Sequence, residues 1–108
     1  MLFRSGGRAN GEQIVPKAVV DDIARGGDRR VFSGYPTLPG WSYRNMWWVS
    51  HNENGAYSAR GIHGQAIYID PKAEMVIARF ASHPAAANAA LDPTSLPAYQ
   101  ALAQFLTR

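Results

Sequence analysis

The chain has no cysteine among its 108 residues. That excludes disulfides, thiolate catalysis and Cys-based zinc sites, and it leaves the compartment open. No apolar run approaches the roughly 20 residues of a membrane span, and the first residues lack the apolar core of a signal peptide; no membrane partner is expected. Charge is sparse too: 18% of residues are charged, the net charge is +3, and no basic run exceeds Arg29-Arg30. A nucleic-acid surface needs a patch or stripe of Lys and Arg. Trp47-Trp48 could stack bases, but the basic groove to go with them is missing, so no nucleic-acid partner is expected.

Catalytic and metal signatures are equally thin. The histidines stand at 51, 63 and 83, which matches no local ligand spacing, so no metal and no cofactor are expected. None of the seven serines begins Ser-x-x-Lys or sits in Gly-x-Ser-x-Gly. Ser33-Gly34 has no strand before it and no helix after it, so it lacks the setting of a nucleophile elbow. Tyr43-Arg44-Asn45 fits Tyr-x-Asn, a pattern of penicillin-recognising enzymes, but it opens a strand and reads as coincidence.

What is present is a globular composition, 46% hydrophobic, of a length that makes one domain or part of one. Met1 to Arg4 reads as a single helical turn ended by Gly6-Gly7. One turn does not hold alone, which gives the expectation of a fragment. Asn10-Gly11 marks a turn, and Pro16 opens a helix over 17–25 that Gly26-Gly27 stops. Residues 28–40 form a Gly- and Pro-rich surface loop. Strands follow at 43–51, at about 57–69 and at 74–81, joined through Asn54-Gly55 and Asp70-Pro71. Trp47 and Trp48 fall on opposite faces of the first. Leu96, Tyr99, Leu102, Ala103 and Leu106 then recur at helical spacing, a stripe for which the sheet is the obvious partner.

The expected class is α+β: a three-stranded antiparallel meander with a C-terminal helix packed on it and a short N-terminal helix. The chain divides into a helix-and-loop lead-in over 1–40, the sheet over 41–82 and the helix over 93–108.

The segment Gly61-Ile62-His63-Gly64 interrupts the second strand. Glycine inside a strand marks a bulge or the close approach of a ligand or another backbone. Two readings stay open: a bulge that bends the strand, or an edge with free N–H groups, as an oxyanion hole requires.

The run WWVSHNENGAYSARGIHGQAIYIDPKAEMVIARFAS resembles the C-terminal sheet of the serine β-lactamase-like hydrolases. That superfamily holds class C β-lactamases, penicillin-binding carboxypeptidases and related esterases. In particular, the run is similar to the 6-aminohexanoate-dimer (nylon-oligomer) hydrolase group in its paired tryptophans, N-E-x-G turn, G-I-H-G-Q and D-P turn. The resemblance is strong over 41–82 and looser elsewhere. It implies a larger α/β domain beside an all-helical one, with the active site between them. It also implies acyl transfer: a Ser-x-x-Lys serine attacks an amide or ester, lysine and tyrosine move protons, and water releases the acyl-enzyme.

By the resemblance, those three groups belong to parts of the family chain upstream of the segment matched here, so by itself this chain is expected to be inactive. The family's Lys- or His-Thr-Gly falls on Ala59-Arg60-Gly61, where only the glycine is kept; that weakens the case for β-lactam recognition. The resemblance makes the N–H of Ile62, next to Gly61, an oxyanion donor and Trp48 a wall of the acyl pocket. Arg60 and His63 complete the set beside a small amide or ester substrate, His63 as structural support. The alternative is a non-catalytic binding module derived from the same fold. In either case unpartnered apolar surface is expected to promote self-association.

Overall fold

Alternation along the strands decides the architecture. Trp48, Ser58, Tyr68 and Ile77 stand opposite one another across successive strands, as do Val49, Tyr57, Ile69 and Val76 one residue along. The side-chain period of two sends these two rows to opposite faces. One face is closed by the C-terminal helix and the loop before the sheet, the other by the first helix and the N-terminal turn. The structure is a computed structural model that describes residues 2–108, with the backbone alone at Ser33 and Gly34.

A small hairpin comes first, β1 (Arg8–Ala9) and β2 (Glu12–Gln13) about Asn10-Gly11, and then α1 (Lys17–Arg25). The main sheet holds five antiparallel strands in sequence order: β3 (Ser42–Arg44), β4 (Trp47–Val49), β5 (Tyr57–Arg60), β6 (Ala66–Asp70) and β7 (Met75–Arg79). The chain ends in α2 (Asp92–Leu106).

The α+β class and the meander order hold, but the count of three strands does not. The expected first strand folds back at Asn45-Met46, with φ of 50° and 70°, the left-handed pair of a tight two-residue hairpin. Asn45 suits that conformation; Met46 gives no sequence signal for it. The expected second strand is likewise broken at Gly61–Gly64.

Two apolar cores lie either side of the sheet. Phe32, Leu38, Trp41, Tyr68, Met75, Leu96 and Ala103 form one, with Trp48 and Tyr99 against it. Ile23, Val49, Tyr57 and Ile69 form the other, with Phe3 and Trp47 against it. The tryptophans therefore split across the sheet as the alternation requires. The helical stripe is narrower than its spacing implies: Leu96, Tyr99 and Ala103 pack inward, while Leu102 and Leu106 stay more than half exposed. Val31 and Phe80 are also exposed, at 82% and 92%.

Two polar clamps fasten α1 to the sheet. Asp22 accepts from Arg44 Nε and Nη2 at 2.9 and 2.8 Å and from Asn45 Nδ2 at 3.0 Å. These bonds, Arg44 foremost, hold its carboxyl below the usual carboxylate range. Tyr-x-Asn here is thus an anchoring hairpin. Behind the helix, buried Ser42 Oγ accepts the Gly27 N–H at 3.0 Å and lies 2.6 Å from His51 Nε2. A side chain on Gly26 would strike both, its Cβ 2.3 Å from Ser42 Oγ and 2.8 Å from the imidazole.

Burial, then the neighbouring Arg29, lowers the pKa of His51 from its ordinary 6.5. As pH falls through 6.5 the unfolded chain takes up this proton before the folded one does, so stability is full above that value and declines below it. The urea midpoint should therefore fall between pH ~7.5 and ~5, and His51→Gln should flatten that part of the profile. An unchanged slope in the variant contradicts this assignment.

Candidate functional site

Between β5 and β6 the chain turns through residues 61–65. The Gly61 N–H donates to the Gln65 carbonyl at 2.9 Å and closes the loop just past the Arg60–Ala66 pair. A Cβ on Gly61 would lie 2.9 Å from Gln65 Cβ, so the missing side chain makes room for the loop's own glutamine. Gly64 has φ +90°, and a Cβ there would press Leu91 and Ala81 at 3.1 and 3.2 Å. The β5–β6 register is regular, so no bulge bends the strand here. The two glycines belong to a hairpin loop folded tightly on itself.

That tight fold leaves one amide over. The His63 N–H donates to the Ala86 carbonyl at 3.0 Å and the Gly64 N–H to Asn88 Oδ1 at 2.9 Å. Ile62 lies between bonded neighbours, and its N–H has no hydrogen-bond partner among the described residues. Ile62 as a residue is 66% exposed.

Beside it lies an open hollow of about 390 Å³. Gly61 and Ile62, the aromatic rings of Trp48 and Tyr35, and residues 86–89 are among its lining. Three of the residues singled out in the sequence besides Ile62 meet here: Gly61, Trp48 and Arg60. His63 does not line the hollow. Its φ is 58°, its Nδ1 donates to the His83 carbonyl at 2.8 Å, and its own carbonyl accepts the His83 N–H at 3.0 Å. It staples the loop to 83–86, at a remove from the hollow.

Arg60 is committed to another partner. Its Nη2 reaches both oxygens of Asp92 at 2.8 and 2.9 Å, and Thr37 Oγ1 donates to the same carboxylate at 2.8 Å. The side chains of Arg60 and Asp92 are only 13% and 5% exposed. The pair ties the end of β5 to the first turn of α2, where a carboxylate also complements the helix dipole. Thr37, Tyr35, Asn88 and Asp92 were not singled out in the sequence. Asn88 carried one signal, as the sole polar residue in an alanine run; the loop residues 35 and 37 carried none.

The lining thus includes the residue with the free N–H, an aromatic wall and an ion pair already bonded to itself. Among its described lining residues none is a serine, a lysine or a histidine, and no group of three metal-ligating side chains occurs among the described residues.

No protein-family model matches the chain. A curated 6-aminohexanoate-dimer hydrolase from Paenarthrobacter ureafaciens is 37% identical over 86 residues, which is 77% of this chain and 22% of that protein. A solved structure from Bacillus anthracis, provisionally assigned as a 6-aminohexanoate-dimer hydrolase, superposes with a TM-score of 0.77 at 34% identity. It covers 97% of this chain and 26% of the other. The chain therefore spans about a quarter or less of the length of these relatives.

Removing one member of a buried ion pair strands the other charge, at a cost of about 3–5 kcal/mol. Asp92→Ala should lose stability on that scale in urea titration, and Asp92→Ala with Arg60→Met should recover part of it. A single-variant loss below about 1 kcal/mol, the scale of exposed pairs, means that this pair does not hold α2 to the sheet.

Proposed function

We propose that this chain, which belongs to the 6-aminohexanoate-dimer hydrolase family, supplies the oxyanion strand and one pocket wall of a serine hydrolase. The substrates are small linear amides or esters, cleaved through an acyl-enzyme. The observation that carries the reading is the unpaired Ile62 N–H on the rim of a hollow walled by Trp48.

In acyl transfer the carbonyl oxygen gains negative charge as the nucleophile adds. A donor that is already fixed stabilises that charge without reorganising, on the order of 3 kcal/mol for one oxyanion-hole N–H. Trp48 offers a flat apolar face to an aliphatic acyl chain. Arg60, bound to Asp92, acts by holding the rim and makes no ionic contact with substrate. His63 acts through the loop. The nucleophile and its proton-handling partners lie outside this sequence, so the chain on its own is inactive toward esters and amides.

A chimera tests this: the chain replaces the matching quarter of the Bacillus anthracis protein, and turnover of p-nitrophenyl hexanoate and of linear amides is measured. Ile62→Pro removes the N–H and should lower kcat by roughly 10²- to 10³-fold with little change in KM. Ile62→Ala keeps the N–H and should stay near the parent. Equal kcat in the parent and in Ile62→Pro ends the oxyanion reading.

A further inference from the structure

The Ile62 N–H belongs to the same peptide group as the Gly61 carbonyl. That group is planar and trans, so its N–H and C=O point in opposite directions. Whatever fixes the carbonyl aims the amide. Asn88 Nδ2 donates to the Gly61 oxygen at 2.7 Å, while Asn88 Oδ1 accepts the Gly64 N–H at 2.9 Å. One side-chain amide thus grips both glycines of the loop, and the two bonds together fix which end of it is nitrogen.

We propose that Asn88 is a positioning residue that sets the peptide plane between Gly61 and Ile62 and so aims the Ile62 donor. The proposal rests on the oxyanion reading of Ile62.

Three facts make the grip consequential. Glycine at 61 leaves the preceding backbone free to reach many φ/ψ values, so without a bond on its oxygen this peptide can rotate and carry the N–H away. The next peptide is already fastened, through the His63 N–H on the Ala86 carbonyl. The peptide with the free amide is therefore the remaining loose one, and Asn88 is what restrains it. A donor on the carbonyl oxygen also polarises the whole amide and strengthens the N–H at its other end.

Asn88 is itself well held. The Leu91 N–H donates to its carbonyl at 2.8 Å, and the next residue is Asp92, in its buried pair with Arg60. Asn88 lines the same hollow as Ile62 and Gly61.

Asn88→Asp isolates the proposed function. The shape is kept and an oxygen still accepts the Gly64 N–H, but nothing donates to the Gly61 carbonyl. By ¹⁵N relaxation on this chain, the order parameter of the Ile62 N–H should be near 0.85 in the parent and fall below about 0.6 in the variant, while Gly64 stays rigid. An unchanged Ile62 order parameter overturns the proposal. Should Asn88→Asp not fold, the scalar coupling across the hydrogen bond from Asn88 Nδ2 to the Gly61 carbonyl carbon decides in the parent; its absence overturns the proposal.

A neutral linear amide, N-butylhexanamide, separates this from the reading beneath it. A downfield shift of the Ile62 amide proton in the parent, lost in Asn88→Asp, supports the proposal. No shift in the parent with the order-parameter change intact removes the oxyanion reading and leaves Asn88 a plain loop staple.

Discussion

The buried contact of Arg60 with Asp92 is what the candidate site depends on. It joins the last residue of β5 to the first residue of α2, across 32 positions of sequence. By docking the head of α2 there, it brings residues 86–92 against the 61–65 loop. It acts together with the bonds of His63 to His83 and Ala86, which fasten the same segment to the loop. Charges this far from water repay their desolvation only when fully bonded, and Thr37 takes up further acceptor capacity on Asp92. The price of the arrangement is that Arg60 is unavailable to a substrate.

Much of the scaffold was legible because it rests on short-range rules. Pro16 before α1, the glycines after it, the Asn54-Gly55 turn and the alternation that parts Trp47 from Trp48 all follow from local backbone preference. The five-strand count was hidden at Asn45-Met46. Met46 adopts a left-handed conformation that its residue type does not announce, and the turn is held from outside by Asp22. A bond between residues 23 apart leaves no periodic trace. The same holds for Thr37 and Asp92, whose meeting at the hollow is purely tertiary.

The Gly61–Gly64 loop shows why a motif can be read correctly as special and still be explained by the wrong force. Both glycines are demanded by the loop's own closure, Gly61 by Gln65 and Gly64 by its φ and by Leu91 and Ala81. The consequence for chemistry is indirect. A loop this tight spends its other amides internally or on the 83–88 segment, and the Ile62 N–H is what geometry leaves unspent. Gln65 contributes twice, since its side chain also bonds the backbone of Ala81, so the loop is fixed to the segment after β7 as well as to Asn88.

Magnitudes decide how far such a site can go. One fixed donor is worth on the order of 3 kcal/mol to a developing oxyanion, whereas enzymatic rate enhancements correspond to about 8–23 kcal/mol. The difference has to come from a nucleophile, proton transfer and substrate orientation, none of which the described lining of the hollow provides. What the chain can contribute is the part that must not move: a donor aimed before the substrate arrives. Electrostatic stabilisation is effective in proportion to that pre-organisation. An amide on a glycine-flanked loop would be a poor choice for it, were the adjoining carbonyl not pinned. On the proposed reading, the aim of that N–H depends on Asn88 and, through the head of α2, on the contact of Asp92 with Arg60.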